Sequence, residues 1–244
     1  MERRFEGRFM VSDQDKLPSK ARRAEVDAFL EKVAAAAVTK APGVRGRLIF
    51  GMDATASREP TWDRACQIQG QMFEATAALG GLDVQLVYYR GFGECRASPW
   101  VSNSADLVRR MTAVMCLGGQ TQIRKVLSHA IGETKKQRVN ALVFVGDCME
   151  EDVDELCALA GELGLLSVSA FMFHEGMDPI AMRGFKQIAR LTNGAYCSFD
   201  AASAKQLKDL LSAVAVYAAG GRRALEDYSR RAGGVVRQIT SQVK

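Results

Sequence analysis

The feature that most constrains the fold of this 244-residue chain is an alternation of short apolar runs with segments of helical periodicity, from residue 47 onward. Three of the runs are almost continuously apolar, as expected for strands covered by helices on both faces. The predicted strands are Arg47–Asp53, Asp83–Gly91, Ala141–Asp147, Ser167–His174 and Ala195–Phe199. The predicted helices between and after them are Ala65–Leu79, Ile123–Thr134, Val153–Leu163, Ile180–Leu191 and Lys205–Ala219. This alternation predicts βαβ crossovers and a mostly parallel sheet.

One further segment differs from the parallel strands. Glu94–Val101 follows a strand after a short glycine turn and contains Pro99, which is typical of an edge strand. We therefore predict a doubly wound α/β fold with a mostly parallel six-stranded sheet, one antiparallel edge strand, and helices on both faces.

The two ends of the chain carry the net positive charge. The formal net charge is +5, and residues 47–221 between the ends have a net charge of −2. Residues 1–46 are predicted to form a helical extension with a helix over Ser19–Val38, and residues 222–244 a basic helix or tail. The residues between these ends, 47–221, are predicted to form the central domain. The basic ends also allow an alternative function, a scaffold protein that binds nucleic acid through them.

Several classes of protein are excluded by composition. No apolar run approaches the roughly 18 residues of a membrane span, and the first 30 residues lack the apolar block of a signal peptide. The six cysteines form no CxxC pair and the chain has two histidines, so a zinc finger is excluded. We expect reduced thiols, a cytoplasmic location and no membrane partner.

Oxygen-bearing side chains follow two of the predicted strands. Asp53, Thr55 and Ser57 come at the end of the first strand, Thr121 follows a glycine loop, and Asp147 ends the third long strand. Parallel α/β sheets place their sites at the carboxyl ends of strands, so these side chains are expected to converge. Carboxylates and hydroxyls are hard oxygen ligands, which favour Mg²⁺ or Mn²⁺.

In these residues the sequence resembles the von Willebrand factor A family, whose metal-ion-dependent adhesion site reads D-x-S-x-S, then a distant Thr and a distant Asp. The resemblance spans roughly residues 47–219, and Thr55 in place of the first serine is its one departure. It implies a Rossmann-like fold and a Mg²⁺ site in which a partner protein's Asp or Glu completes the metal shell. Stand-alone bacterial members of this family often work with assembly factors or chaperone-type ATPases, so the resemblance also implies a partner of that class.

Other interpretations of the same residues stay open. Thr55, Ser57 and Thr121 are also the residue types that cap helix N-termini. Trp62, His174 and Glu175 are candidates for the rim of the site.

The preferred function is a non-catalytic protein-interaction domain. The alternatives are a metal-dependent hydrolase or phosphotransferase and the nucleic-acid scaffold. A phosphotransferase of the haloacid-dehalogenase type would need an aspartate at position 55, and no GxSxG or phosphate-binding glycine loop occurs.

Overall fold

A computed structural model describes residues 45–199, 204–232 and 234–243. Its contacts divide the chain into two units, Met1–Ala41 and Pro42–Lys244. All of the described residues belong to the second unit. The predicted helix Ser19–Val38 lies outside the described residues.

Six strands form one sheet in the order β3-β2-β1-β4-β5-β6. All neighbours are parallel except β2 and β3, which form an antiparallel pair at one edge. The strands are β1 (Gly46–Asp53), β2 (Leu82–Arg90), β3 (Glu94–Ala97), β4 (Ala141–Gly146), β5 (Ser169–Glu175) and β6 (Ala195–Phe199). The predicted fold class is confirmed. β3 is shorter than predicted because Pro99 has no N–H to donate, and Val101 rejoins the sheet through an isolated bridge to Val84.

Helices connect and follow these strands. In the described residues they are α1 (Glu59–Ile68), α2 (Gly70–Thr76), α3 (Ser104–Thr112), α4 (Ile123–Lys136), α5 (Val153–Leu165), α6 (Pro179–Leu191), α7 (Ala204–Arg231) and α8 (Gly234–Thr240). Short 3₁₀ turns cover Ala56–Arg58 and Ala77–Leu79. The predicted helix Ala65–Leu79 is in fact α1, which begins earlier, followed by α2 and the second 3₁₀ turn.

The sheet separates two apolar cores. Leu48 and Phe50 of β1 point to the core shared with α1, α2, α3, α7 and α8. Ile49 points to the other face, where α4, α5 and α6 pack. Alternate side chains of a strand therefore pack into the cores on opposite faces of the sheet. The prediction of helices on both faces is confirmed.

The C-terminal segment packs against the first of these cores. α7 kinks at Gly221, whose positive φ of 71° suits glycine, and continues beyond it. Leu225, Val236 and Ile239 are fully buried in the core. The side-chain amide of Gln242 accepts a hydrogen bond from the Tyr196 N–H (2.8 Å) and donates one to the Tyr196 carbonyl (2.9 Å). This segment, predicted as a basic helix or tail, thus contributes buried side chains to the core, and its Gln242 pairs with β6.

The strand order reverses between β1 and β4. From β1 the chain crosses to β2 on one side, whereas from β4 it crosses to β5 on the other. In such sheets a crevice opens at the carboxyl ends of the two diverging strands. Met52 pairs with Val145 in parallel register, so the residues that follow, Asp53 and Asp147, lie at the same end of the sheet.

Candidate metal centre

Asp53 is the last residue of β1, and its side chain is fully buried. Its Oδ1 accepts a hydrogen bond from the Thr55 N–H at 2.7 Å. Its Oδ2 is buried and makes no hydrogen bond of good geometry among the described residues, although the buried Tyr89 hydroxyl lies close enough to interact with the carboxylate. Burial raises the pKa of Asp53 and the nearby charge of Asp147 raises it further, while the Thr55 N–H lowers it. The carboxylate therefore lacks a counter-charge for one of its oxygens.

Asp147 follows β4 and meets the loop that leaves β1. The Ser57 hydroxyl donates to Asp147 Oδ2 at 3.0 Å. Asp147 Oδ1 is buried and, within the described parts of the chain, unpartnered. Two neighbouring carboxylates therefore each keep one buried, unsatisfied oxygen, an arrangement that costs free energy unless a donor or cation fills it.

Hydrogen bonds join the loop of Thr121 to the loop after β4. The Glu150 N–H donates to the Thr121 hydroxyl oxygen at 2.9 Å, and the Thr121 N–H donates to the Glu150 carboxylate at 2.9 Å. The same loop reaches the end of β1, because the Leu117 N–H donates to the Ala54 carbonyl at 3.0 Å. The three loops that carry the predicted ligands are thus held together at one edge of the sheet.

Arg58, which the sequence reasoning did not select, lies beside these ligands. It is 1% exposed, and its Nη1 is 3.8 Å from Asp147 Oδ2. Its Nη2 forms an ion pair with Glu175, and the same Glu175 oxygen accepts a hydrogen bond from the Thr61 hydroxyl. Arg58 comes directly after the D-x-T-x-S motif, and this position could have suggested it as a site residue. Its pairing with Glu175 could not have been predicted in the same way, because Glu175 is 117 positions away in sequence.

The three rim candidates have different surroundings. Glu175 contacts Arg58 and Thr61, as described. His174 is fully buried, with Nε2 3.1 Å from the Asp147 carbonyl and Nδ1 3.0 Å from the Tyr196 hydroxyl. Burial lowers the pKa of His174, which favours the neutral ring. Trp62 is 3% exposed and its indole N–H donates to the Met111 carbonyl at 3.0 Å, so it packs in the core.

The acidic cluster after β4 has two separate roles. Asp152 caps its own helix, α5, by accepting hydrogen bonds from the N–H groups of Asp154 (2.9 Å) and Glu155 (3.0 Å). Glu151 instead caps α4, accepting from the N–H groups of Ile123 (2.5 Å) and Arg124 (2.9 Å). Both arrangements place a carboxylate at the positive end of a helix.

The donor chemistry of the site fits a hard cation. Asp53 and Asp147 supply two carboxylates, and Thr55, Ser57 and Thr121 supply neutral hydroxyl oxygens. We call these five residues the candidate metal site. In the described residues, no group of three or more His, Cys, Asp or Glu side chains is arranged to hold a metal, so any ligand set here depends on the hydroxyls.

Two further findings concern the cysteines and the helices of the described residues. All six cysteines are free thiols. Among the described residues, no helix has both the length and the apolar character needed to cross a membrane.

Comparison by sequence gives no relative: no protein-family model matches, and no curated protein matches. Comparison by structure does. The SpRpn10 VWA domain matches with a TM-score of 0.53 and 16% identity over 69% of this chain and 94% of that one. The vWF domain of the type V pili tip protein Mfa5 from Porphyromonas gingivalis matches with a TM-score of 0.55 and 11% identity over 72% and 95%.

A third similar structure is proximal thread matrix protein 1 from the mussel byssus, with a zinc-occupied metal-ion-dependent adhesion site. It matches with a TM-score of 0.57 and 15% identity over 79% of this chain, which spans about half (52%) of that protein. The strand order, the antiparallel edge pair and these structural matches show that the chain has the von Willebrand factor A domain fold.

Proposed function

We propose that this domain is a non-catalytic protein-interaction module that binds an acidic side chain of a partner protein through a divalent cation. Mg²⁺ or Mn²⁺ would be held by Asp53, Thr55, Ser57, Thr121 and Asp147. The observation that carries the proposal is a pair of buried oxygens at the same end of the sheet, Asp53 Oδ2 and Asp147 Oδ1, which have no hydrogen-bond partner of good geometry among the described residues.

A cation accounts for these oxygens better than a purely structural role does. A buried carboxylate is stabilised by a charged partner or several hydrogen bonds, and burial without them raises its pKa, as it does for Asp53. A divalent cation between the two carboxylates would supply the missing counter-charge, and when bound it would offer a coordination position to a partner carboxylate. Ser57 is exposed, so a partner can approach the site from its side.

Structural neighbours support an interaction role. The site of the mussel protein holds zinc, and other neighbours are named as a pilus tip protein and as the COPII-coat protein Sec24c. We extend this to a protein partner here, with an assembly factor or chaperone-type ATPase as the class to test first. A cytoplasmic location is part of the same proposal and agrees with six free thiols.

The alternatives have less support from the geometry. A hydrolase needs a base near the metal, but His174 is fully buried and both its ring nitrogens have partners. A nucleic-acid scaffold needs free cations on the C-terminal segment, and two of the five arginines described there are paired, Arg222 with Glu226 and Arg230 with Asp227. Both side-chain pairs reduce the charge available to phosphate.

The test measures the metal-dependent increment in thermal stability. At ten times its dissociation constant, a cation that binds only the folded state adds about 1.4 kcal/mol. For a domain of this size we expect the melting temperature to rise by roughly 3–6 °C with Mg²⁺ or Mn²⁺. Asp53→Asn should abolish the increment. An equal increment in wild type and Asp53→Asn would refute the metal site.

The partner is tested by a pull-down from native lysate with Mg²⁺ or with chelator, using wild type and Asp53→Asn as paired baits. A protein retained by wild type with Mg²⁺ alone supports the interaction module. Equal retention by both baits under both conditions contradicts a metal-bridged contact.

A further inference from the structure

We infer that Arg58 is a tethered cation that competes with the metal for Asp147, and that Glu175 restrains it, so that this ion pair sets the affinity of the candidate metal site. The inference rests on the proposed function and adds to it two residues outside the ligand set. Its basis is the position of one buried guanidinium between a proposed metal ligand and a second carboxylate.

The placement of Arg58 follows from the short 3₁₀ turn Ala56–Arg58. Ser57 in that turn donates to Asp147 Oδ2, and the next residue brings its guanidinium to 3.8 Å from the same oxygen. The Arg58 side chain is 2% exposed, so solvent screens its charge weakly. A positive charge in this position opposes the entry of a second cation beside Asp147.

Glu175 acts on Arg58 in the opposite sense. Arg58 Nη2 contacts Glu175, and the Thr61 hydroxyl donates to the same oxygen, which fixes the Glu175 carboxylate at the end of β5. Nevertheless, neither Nε nor Nη2 of Arg58 makes a hydrogen bond of good geometry among the described residues, so Nη2 contacts Glu175 as an ion pair only. The guanidinium is thus held by the charges of Asp147 and Glu175 rather than by a complete set of hydrogen bonds. It can therefore move from one of these carboxylates toward the other.

The charges of the cluster agree with this role. Asp53, Asp147 and Glu175 together carry three negative charges in their ionised form, and Arg58 carries one positive charge. A divalent cation would bring the cluster to neutrality. Without Arg58 the cluster would attract a cation more strongly, and without Glu175 the arginine would turn fully toward Asp147. Arg58 and Glu175 are therefore positioning residues with opposite effects on metal affinity.

The experiment measures the dissociation constant of the full chain for Mn²⁺ by electron paramagnetic resonance and for Mg²⁺ by calorimetry. We expect Arg58→Gln to bind roughly tenfold more tightly than wild type and Glu175→Gln roughly tenfold more weakly, as removal of one nearby charge predicts. Arg58→Lys keeps the charge and should stay close to wild type. Lys135→Gln removes the same charge at the far end of α4, where Lys135 pairs with Glu162 on the surface, and should leave both constants unchanged.

The outcomes separate this inference from the proposed function. Unchanged affinity in Arg58→Gln and Glu175→Gln would overturn the inference and leave metal binding standing. Binding by Arg58→Gln but not by wild type would support the inference and overturn metal binding by the natural chain. If no variant binds either metal, both fail. Should Arg58→Gln not fold, as judged by circular dichroism, the weakening in Glu175→Gln against an unchanged Arg58→Lys decides the matter.

Discussion

Arg47 and Arg58 are both buried arginines, near opposite ends of the same sheet. Arg47, near the start of β1, is 8% exposed. Its Nη1 donates to the Gln137 carbonyl at 2.5 Å, its Nη2 lies 3.7 Å from Glu133, and its guanidinium stacks 3.8 Å from the centre of the Trp100 ring. Arg58, after the end of β1, contacts Glu175 and leaves its Nε unpartnered within the described residues. Within the described residues, Arg47 leaves no buried nitrogen without a partner, whereas Arg58 leaves Nε and Nη2 without one. We call the surroundings of Arg47 the saturated end and those of Arg58 the unsaturated end.

The carboxylates beside these arginines differ in the same way. Glu133 accepts hydrogen bonds from the Trp100 indole at 2.9 Å and from Lys136 at 2.7 Å. The Lys136 hydrogen bond lowers the pKa of Glu133, although burial opposes it, whereas burial raises the pKa of Asp53. Buried charge with all its partners is typical of a structural role, and buried charge with open positions indicates a ligand. The saturated end thus stabilises the fold, and the unsaturated end is the candidate site.

The largest expected effect on stability is at the saturated end. Arg47→Met keeps much of the packing of the side chain but removes the donor to the Gln137 carbonyl and one of the positive charges near Glu133. It should lower the free energy of unfolding by about 2 kcal/mol. Urea denaturation measures the loss, and the increment given by Mg²⁺ should not change. Lys135→Met, which breaks an exposed ion pair with Glu162, is the control and should cost about 0.5 kcal/mol or less. A similar small loss in Arg47→Met would mean that the saturated end is not structural.

A smaller effect is expected for a saturated carboxylate close to the candidate site. Glu151→Ala removes the acceptor of two N–H groups at the start of α4 and should cost about 1 kcal/mol. The metal increment should survive, because Glu151 is already satisfied. Glu155→Ala is the matched control, since the exposed Glu155 side chain forms a 3.9 Å ion pair with Arg124 and its N–H, which donates to Asp152, is kept in the variant. Loss of the increment in Glu151→Ala would place Glu151 within the metal site and break the comparison.

The third effect concerns pH and the saturated end. The ring of His129 on α4 lies 2.9 Å from Gln85, and burial lowers the pKa of His129 while nearby Glu133 raises it. The unfolded chain therefore binds this proton more tightly than the folded chain does. The stability that follows is present above the ordinary histidine value of about 6.5 and is lost as the pH falls through that value toward the lowered one.

His129→Gln should remove this contribution to the pH dependence of the free energy of unfolding. The contribution of His174 should remain, because burial lowers the pKa of His174 as well. Urea unfolding at several pH values between 7.5 and 5.5 should show wild type losing more stability than the variant on acidification. Parallel losses in the two proteins would contradict the assignment.

Much of the fold followed from hydrophobic periodicity, since the five parallel strands appear as apolar runs with bounds close to those observed, whereas β3 was predicted from its glycine turn and Pro99. α3 was not predicted because it buries only Leu107 and Met111, which is too short a stripe to stand out from its charged neighbours. The glycines at 220 and 221 predicted the end of a helix, but the chain kinks there and continues to bury Leu225. In these two regions, contacts with the rest of the domain determine the secondary structure, and hydrophobic periodicity does not reveal such contacts.

The candidate site was predictable only in its strand-end residues. Asp53 and Asp147 follow apolar strands, so their meeting at one edge follows from parallel pairing. Arg58 and its pairing with Glu175 depend on how β5 is ordered in the sheet, which periodicity does not specify. The burial of Trp62 likewise reflects its contact with α3, an element that the sequence did not predict.

The most direct test of the account is an anomalous difference map from crystals grown with Mn²⁺, for wild type and Asp53→Asn. The account predicts one strong peak in wild type, in contact with Asp53 Oδ2 and Asp147 Oδ1 and with hydroxyl ligands from Thr55, Ser57 or Thr121, and no peak there in Asp53→Asn. Arg58 should remain on Glu175 in the metal-bound crystal. A wild-type map at saturating Mn²⁺ with no peak between the two carboxylates, and with water or Arg58 bonded to both oxygens instead, would contradict it.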